Sequence, residues 1–158
     1  MVSPAEKELP REARVVRLAK DIPKFVPTGQ PPLNGEVFAP SSDDEQEAIE
    51  RNLPVRVSAW DLSEITAIGA SVFRNLSGQK IWTLEMNVSQ IANVATEFEL
   101  SRVRVVSDPL QSDLPGATAH CGIEGLDRRP GESKKQIKAA RDELARVATT
   151  SFIVGRAA

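Results

Sequence analysis

The chain has 158 residues, 41% of them hydrophobic and 27% charged, with a formal net charge of −2. That length fits one domain able to bury roughly 70% of the surface its unfolded form exposes, and the near-neutral charge excludes a global attraction to nucleic acid or anionic lipid. The single cysteine, Cys121, excludes an internal disulfide, and the lack of tyrosine leaves few aromatic platforms for stacking bases or sugars.

Residues 1–13 are polar and proline-punctuated, and are expected to form a disordered arm. Their start lacks the apolar core of a secretion signal, so a cytoplasmic location is expected. No apolar run approaches the ~20 residues that span a bilayer, so no membrane association is expected. The remainder, 14–158, reads as a single α+β domain, with 14–54 an extended, proline-rich and acidic lead-in. A short apolar pattern runs from Arg14 to Val26. Pro23, Pro27, Pro31 and Pro32 then forbid a long helix and favour an extended chain lying across the domain surface. Val37-Phe38-Ala39-Pro40 is placed to anchor that segment. Over 41–53 the acids Asp43, Asp44, Glu45, Glu47 and Glu50 follow Ser42. This pattern suits a short helix capped by Ser42 or Asp43, and its acids are either a solvated face or a docking site for a basic partner.

Period-two alternation over 55–60 predicts a half-buried strand. Ile65, Ile68, Val72 and Leu76 recur at helical spacing behind Ser63 and predict a helix over 63–76 that Gly78 ends. A second strand is expected over 81–86. Asn87 and Gln90 then open a helix whose apolar stripe is Ile91, Val94, Ala95 and Phe98. Residues 102–107 and 119–125 read as the third and fourth strands. The last clear helix spans 133–148, with Ile137, Ala140, Leu144, Val147 and Ala148 inward. The tail 149–155 is short and apolar, suited to packing on the core or to an edge strand. Together these predict a small mixed or antiparallel sheet of three to four strands packed by about three helices.

Candidate chemistry gathers between Asp108 and Leu126, which holds the only histidine and the only cysteine. Neighbours on a strand point to opposite faces, so His120 and Cys121 diverge and form no dyad. Cys121 is expected to share its face with Ala119 and Ile123, as a small buried residue. His120 shares its face with Gly122 and Glu124. Either Asp108 or Glu124 is placed to orient it as an acid–base group; otherwise it makes a structural hydrogen bond. No metal-ligand spacing, phosphate loop, dinucleotide fingerprint or nucleophile elbow occurs, so neither a metal nor a cofactor is expected. Arg128, Arg129, Lys134, Lys135 and Lys138 give the approach to the last helix a local positive excess. That face suits phosphate contact, plain solvation, or pairing with the acidic 43–50 segment.

Phe38-Ala39-Pro40, Asp43-Asp44, Arg56-Val57-Ser58, Asp108-Pro109-Leu110, and Ala119-His120 with Ile123 and Gly125 form a recurring order of short motifs. In that order the chain, over about 23–148, resembles a group of small, poorly characterised bacterial proteins. The resemblance implies an accessory component encoded beside toxin–antitoxin or antiviral-defence genes, and brings no catalytic residues with it. Three readings follow. The first is a non-enzymatic accessory protein that binds a protein partner or a second copy, through residues such as Asp43, Asp44, Glu47 and the basic cluster. The second is a small hydrolase or nucleotide-directed transferase using His120 with Asp108 or Glu124. The third is a nucleic-acid-binding module using the basic C-terminal helix.

Overall fold

The computed structural model describes residues 7–156. Six strands are present: β1 (Arg14–Lys20), β2 (Arg56–Asp61), β3 (Lys80–Asn87), β4 (Arg104–Ser107), β5 (His120–Glu124) and β6 (Thr149–Val154). They form one sheet in the order β4-β5-β2-β1-β3-β6, with every neighbouring pair antiparallel. Four helices accompany it: α1 (Ser42–Arg51), α2 (Ala67–Phe73), α3 (Val88–Glu97) and α4 (Lys134–Val147). None of the helices among the described residues is long and apolar enough to cross a membrane.

The α+β class agrees with the sequence reading, but the sheet has six strands where three or four were expected, and there are four helices rather than three. The first additional strand is β1, inside the expected lead-in. Its five central residues, Val15 to Ala19, are all buried, so it lacks the alternation that marks a one-sided strand. The second is β6, the apolar tail, which pairs with β3 along its whole length. The fourth helix is α1, where the acidic segment suited a short helix. Ser41, not Ser42 or Asp43, caps it: Ser41 Oγ accepts the Asp44 N–H at 3.1 Å while the Asp44 carboxylate accepts the Ser41 N–H at 2.9 Å. Such a reciprocal cap contributes about 1 kcal/mol.

Helix α2 is shorter than expected. The Asp61 carboxylate accepts both the N–H and the O–H of Ser63, at 2.9 and 2.8 Å, which holds the chain in a turn. Helical geometry starts only after Thr66, whose hydroxyl caps Gly69. Helix α4 begins as expected, with Ser133 accepting from Gln136.

Two apolar clusters lie on opposite faces of the sheet. On one face Val15, Val57, Ala59, Leu84, Ile123 and Cys121 pack with α3, α4 and the anchored segment around Val26, Leu33, Val37 and Phe38. Gly35 makes the last contact possible. Its N–H donates to Asp142 of α4 at 2.9 Å, and a Cβ there would lie 2.5 Å from the Asp142 backbone nitrogen. On the other face Val16, Leu18, Trp60, Ala70, Leu76, Ile81 and Ala119 pack around α2. Ala119 therefore sits across the sheet from Cys121. It belongs to a 3-10 turn, Ala117–Ala119, so strand alternation does not reach it.

At the β4 edge, Ser107 N–H donates to the Lys7 carbonyl at 2.8 Å and Leu9 N–H to the Val105 carbonyl at 2.9 Å. Residues 1–6 of the expected arm lie outside the described residues.

Candidate functional site

Strands β1 and β2 pair only at Val15↔Asp61 and Val16↔Trp60. Beyond that the two strands are bridged by a side chain: Arg17 Nη1 donates to the Ser58 carbonyl at 3.1 Å, and Nε to the Val37 carbonyl at 2.8 Å. Beside this break, on the α2 side of the sheet, lies a cleft of about 520 Å³. Its walls include Ser58 and Trp60 of β2, Arg51 at the end of α1, Arg74 after α2, Asp108 after β4, and His120 at the start of β5.

Register brings the reactive groups together. Trp60 faces His120 and Ser58 faces Gly122, so Ser58 and His120 are diagonal neighbours on one sheet face. His120 Nε2 lies 3.0 Å from Ser58 Oγ. On the other side of the ring, Nδ1 lies 2.7 Å from the Asp108 backbone carbonyl. The Asp108 N–H in turn donates to the His120 carbonyl at 3.0 Å, which locks the two residues in register.

This arrangement fixes the proton. A carbonyl only accepts, so Nδ1 carries the hydrogen and Nε2 presents a lone pair. The Ser58 hydroxyl must then be the donor to Nε2. Burial lowers the His120 pKa below its ordinary value. Its bond to the Asp108 carbonyl and the Asp108 charge oppose that, Arg74 adds to the lowering, and Glu47 opposes it weakly. The ring is thus neutral at pH 7, the form in which it can take a proton.

The sequence-predicted acids divide between two roles. Asp108 is brought to His120, but its carboxylate stands 4.0 Å from Nδ1 and is engaged elsewhere. Arg51 grips it in bidentate fashion at 3.0 and 3.3 Å, and Arg56 Nη1 lies 3.5 Å away. Glu124 is not brought to His120. It accepts from Arg56 Nε at 2.8 Å and from Arg104 Nε at 2.6 Å. Alternating charges thus cross the sheet as Arg51, Asp108, Arg56, Glu124 and Arg104. Gly122 leaves room for this row, because a Cβ there would lie 2.8 Å from both Cβ and Cδ of Arg56.

Of the other predicted residues, Glu47 lines the cleft and pairs with Arg51 at 3.4 Å. Asp43 is exposed, and Asp44 is engaged in the α1 cap. Arg128, Arg129, Lys134, Lys135 and Lys138 are exposed around the start of α4, and none lines the cleft. Their local partners are close in sequence: Arg128 donates to the Glu132 carbonyl, and Lys138 pairs with Asp142. No ion pair among the described residues joins them to the acidic helix. No cluster of three or more metal-ligating side chains occurs among the described residues either.

Sequence reasoning missed Ser58, Arg17, Arg51 and Arg74. Ser58 carries no local motif; only the β2–β5 register puts it beside a histidine 62 positions away. Trp60 adds one more feature. Its ring stacks near Phe73 and meets the His120 ring edge-on at 4.9 Å, and its buried Nε1–H donates to nothing among the described residues. Comparison with family models, curated proteins and solved structures finds no match to this chain.

Proposed function

We propose that this chain is a small hydrolase or transferase in which Ser58 is the nucleophile and His120 its general base. The observation that carries the reading is the ordered relay from the Asp108 carbonyl through the His120 ring to the Ser58 hydroxyl, set in the wall of a cleft. In the first step Ser58 Oγ forms a bond to an electrophilic carbon or phosphorus, and its proton passes to His120 Nε2. The bond to the leaving group breaks, and Nε2 returns the proton to that group. Water, or an acceptor alcohol in a transferase, then attacks the serine-bound intermediate. Its proton goes to Nε2 and on to Ser58 Oγ as the serine is released. The backbone carbonyl of Asp108 takes the orienting part that a carboxylate has in a serine triad. The guanidinium groups of Arg51 and Arg74 supply cationic walls for charge that develops on the departing or attacked oxygen.

A fluorophosphonate probe tests this directly, because it bonds only to an activated serine and releases fluoride. The reading expects one adduct by intact mass, mapped to Ser58 by peptide sequencing. Ser58→Ala abolishes it and His120→Gln slows it by at least ~100-fold, the lower range for loss of a general base. An adduct of equal yield on Ser58→Ala, or none on the wild type, refutes it.

A second reading draws on β6. This edge strand carries no charge and no proline, and Phe152 and Val154 on it are 45% and 57% exposed. Such an edge suits addition of a strand from a protein partner or a second copy, as an accessory protein would use. Light scattering across concentration and in the presence of host extract, with Phe152→Lys as the control, tests it. Identical mass for both proteins under all conditions removes it.

A further inference from the structure

Arg74 walls not only the Ser58 cleft but also a second cavity of about 380 Å³ at the open end of β1. Cations outnumber acids there by four to two: Arg17, Lys20, Lys24 and Arg74 against Glu36 and Asp44. The Asp44 carboxylate is already committed to the α1 cap.

Arg17 is the telling residue. It is only 8% exposed, yet its guanidinium bonds to two backbone carbonyls and to no carboxylate. Its Nη2 donates to nothing among the described residues. Burying a cation costs several kcal/mol, which the Asp44 charge offsets only in part, and a second arginine, Arg74, stands in the same cavity with no side-chain hydrogen bond or ion pair among the described residues. Burial, then the charge of Arg74, lowers the Arg17 pKa to about 9 against the opposing charge of Asp44, so Arg17 remains cationic at pH 7. A fold that sets two guanidinium groups where they repel each other is built for an anion between them. Arg74 ties this cavity to the nucleophile, because it also walls the cleft that holds Ser58. A dianion offsets both guanidinium charges, whereas a carboxylate offsets one.

We infer that Arg17 and Arg74 form a binding site for a phosphate group, and that the substrate of the Ser58–His120 pair carries that group. The second clause rests on the hydrolase or transferase reading; the first stands without it. Arg17 binds the phosphate from beneath β2, and Arg74 binds it from the wall shared by the two cavities, so that an adjoining bond of the substrate reaches Ser58.

The test is calorimetric titration of the full chain with inorganic phosphate at low ionic strength, with acetate as the monoanion comparator. Wild-type protein binds phosphate at least ~10-fold more tightly than acetate, and Arg74→Gln weakens phosphate by ~10-fold or more, the loss of one charge-assisted contact. Because the Arg74 side chain makes no hydrogen bond or ion pair among the described residues, its variant keeps the wild-type melting temperature and carries the test alone even if Arg17→Lys fails to fold. Ser58→Ala binds phosphate as the wild type does. No phosphate heat, equal affinity for acetate, or unchanged phosphate affinity in Arg74→Gln overturns the inference. Fluorophosphonate labelling of Ser58 without phosphate binding removes this site alone; phosphate binding without labelling removes the enzymatic reading alone.

Discussion

Glu124→Gln separates the structural carboxylate from the groups around His120. Glu124 is 3% exposed and accepts from Arg56 at 2.8 Å and Arg104 at 2.6 Å. Glutamine keeps the shape and one acceptor but removes the charge between two guanidinium groups. Breaking a buried ion pair costs roughly 3–5 kcal/mol. Arg104 is more than a third exposed, and Arg56 keeps Asp108 at 3.5 Å, so the lower end applies, about 3 kcal/mol. For a chain of this size that lowers the melting temperature by roughly 6–12 °C. Scanning calorimetry measures it. The chain has one histidine, so its NMR titration reads His120 alone, and Glu124→Gln leaves that titration nearly unchanged. A loss below about 1 kcal/mol, or a His120 pKa that moves with the substitution, would refute the assignment of Glu124 to the charge row.

The same histidine makes stability depend on pH. Its folded pKa lies below the ordinary 6.5, so the unfolded chain binds the proton more readily, and stability falls as pH drops below about 6.5. Urea melts at pH 5 and pH 7.5 check the sign, and His120→Gln flattens that part of the slope. Gly35→Ala forces a Cβ against the α4 backbone at Asp142 and costs roughly 1–3 kcal/mol, read from the same melts. Cys121 is buried, and burial pushes its thiol pKa well up. Ellman's reagent at pH 8 therefore leaves the native protein unreacted over an hour and titrates one thiol after unfolding; a fast native reaction would contradict the burial.

The elements whose burial alternates along the chain were legible in the sequence. The apolar stripe of α4 shows its period because one face meets the core and the other does not, and β2 and β3 show theirs because Val57 and Ala59, and Leu84 and Met86, are buried on one face between less buried neighbours such as Arg56, Ser58 and Glu85. β1 was hidden by the opposite circumstance: Val15 to Ala19 are buried throughout, and nearby prolines suggested an exposed, extended segment. β6 was ambiguous because an edge strand with half-exposed apolar residues reads like a tail. In the site, the uniqueness of His120 drew attention to the residue that lies against Ser58, and strand alternation correctly sent Cys121 to the other face. It also set Glu124 on the face of His120, yet could not show that Arg56 and Arg104 take hold of that carboxylate. Ser58, Arg17 and Arg74 were invisible for a related reason. Their meaning depends on antiparallel register and on the break between β1 and β2, which are long-range facts that no local spacing encodes.

The pH dependence of Ser58 phosphonylation tests the central claim most directly. The account predicts a labelling rate that is flat at and above neutrality and falls as pH drops through an inflection below 6.5, coincident with the NMR titration of His120 and absent in His120→Gln. A rate with no inflection there, or wild-type labelling in His120→Gln, would show that His120 does not activate Ser58.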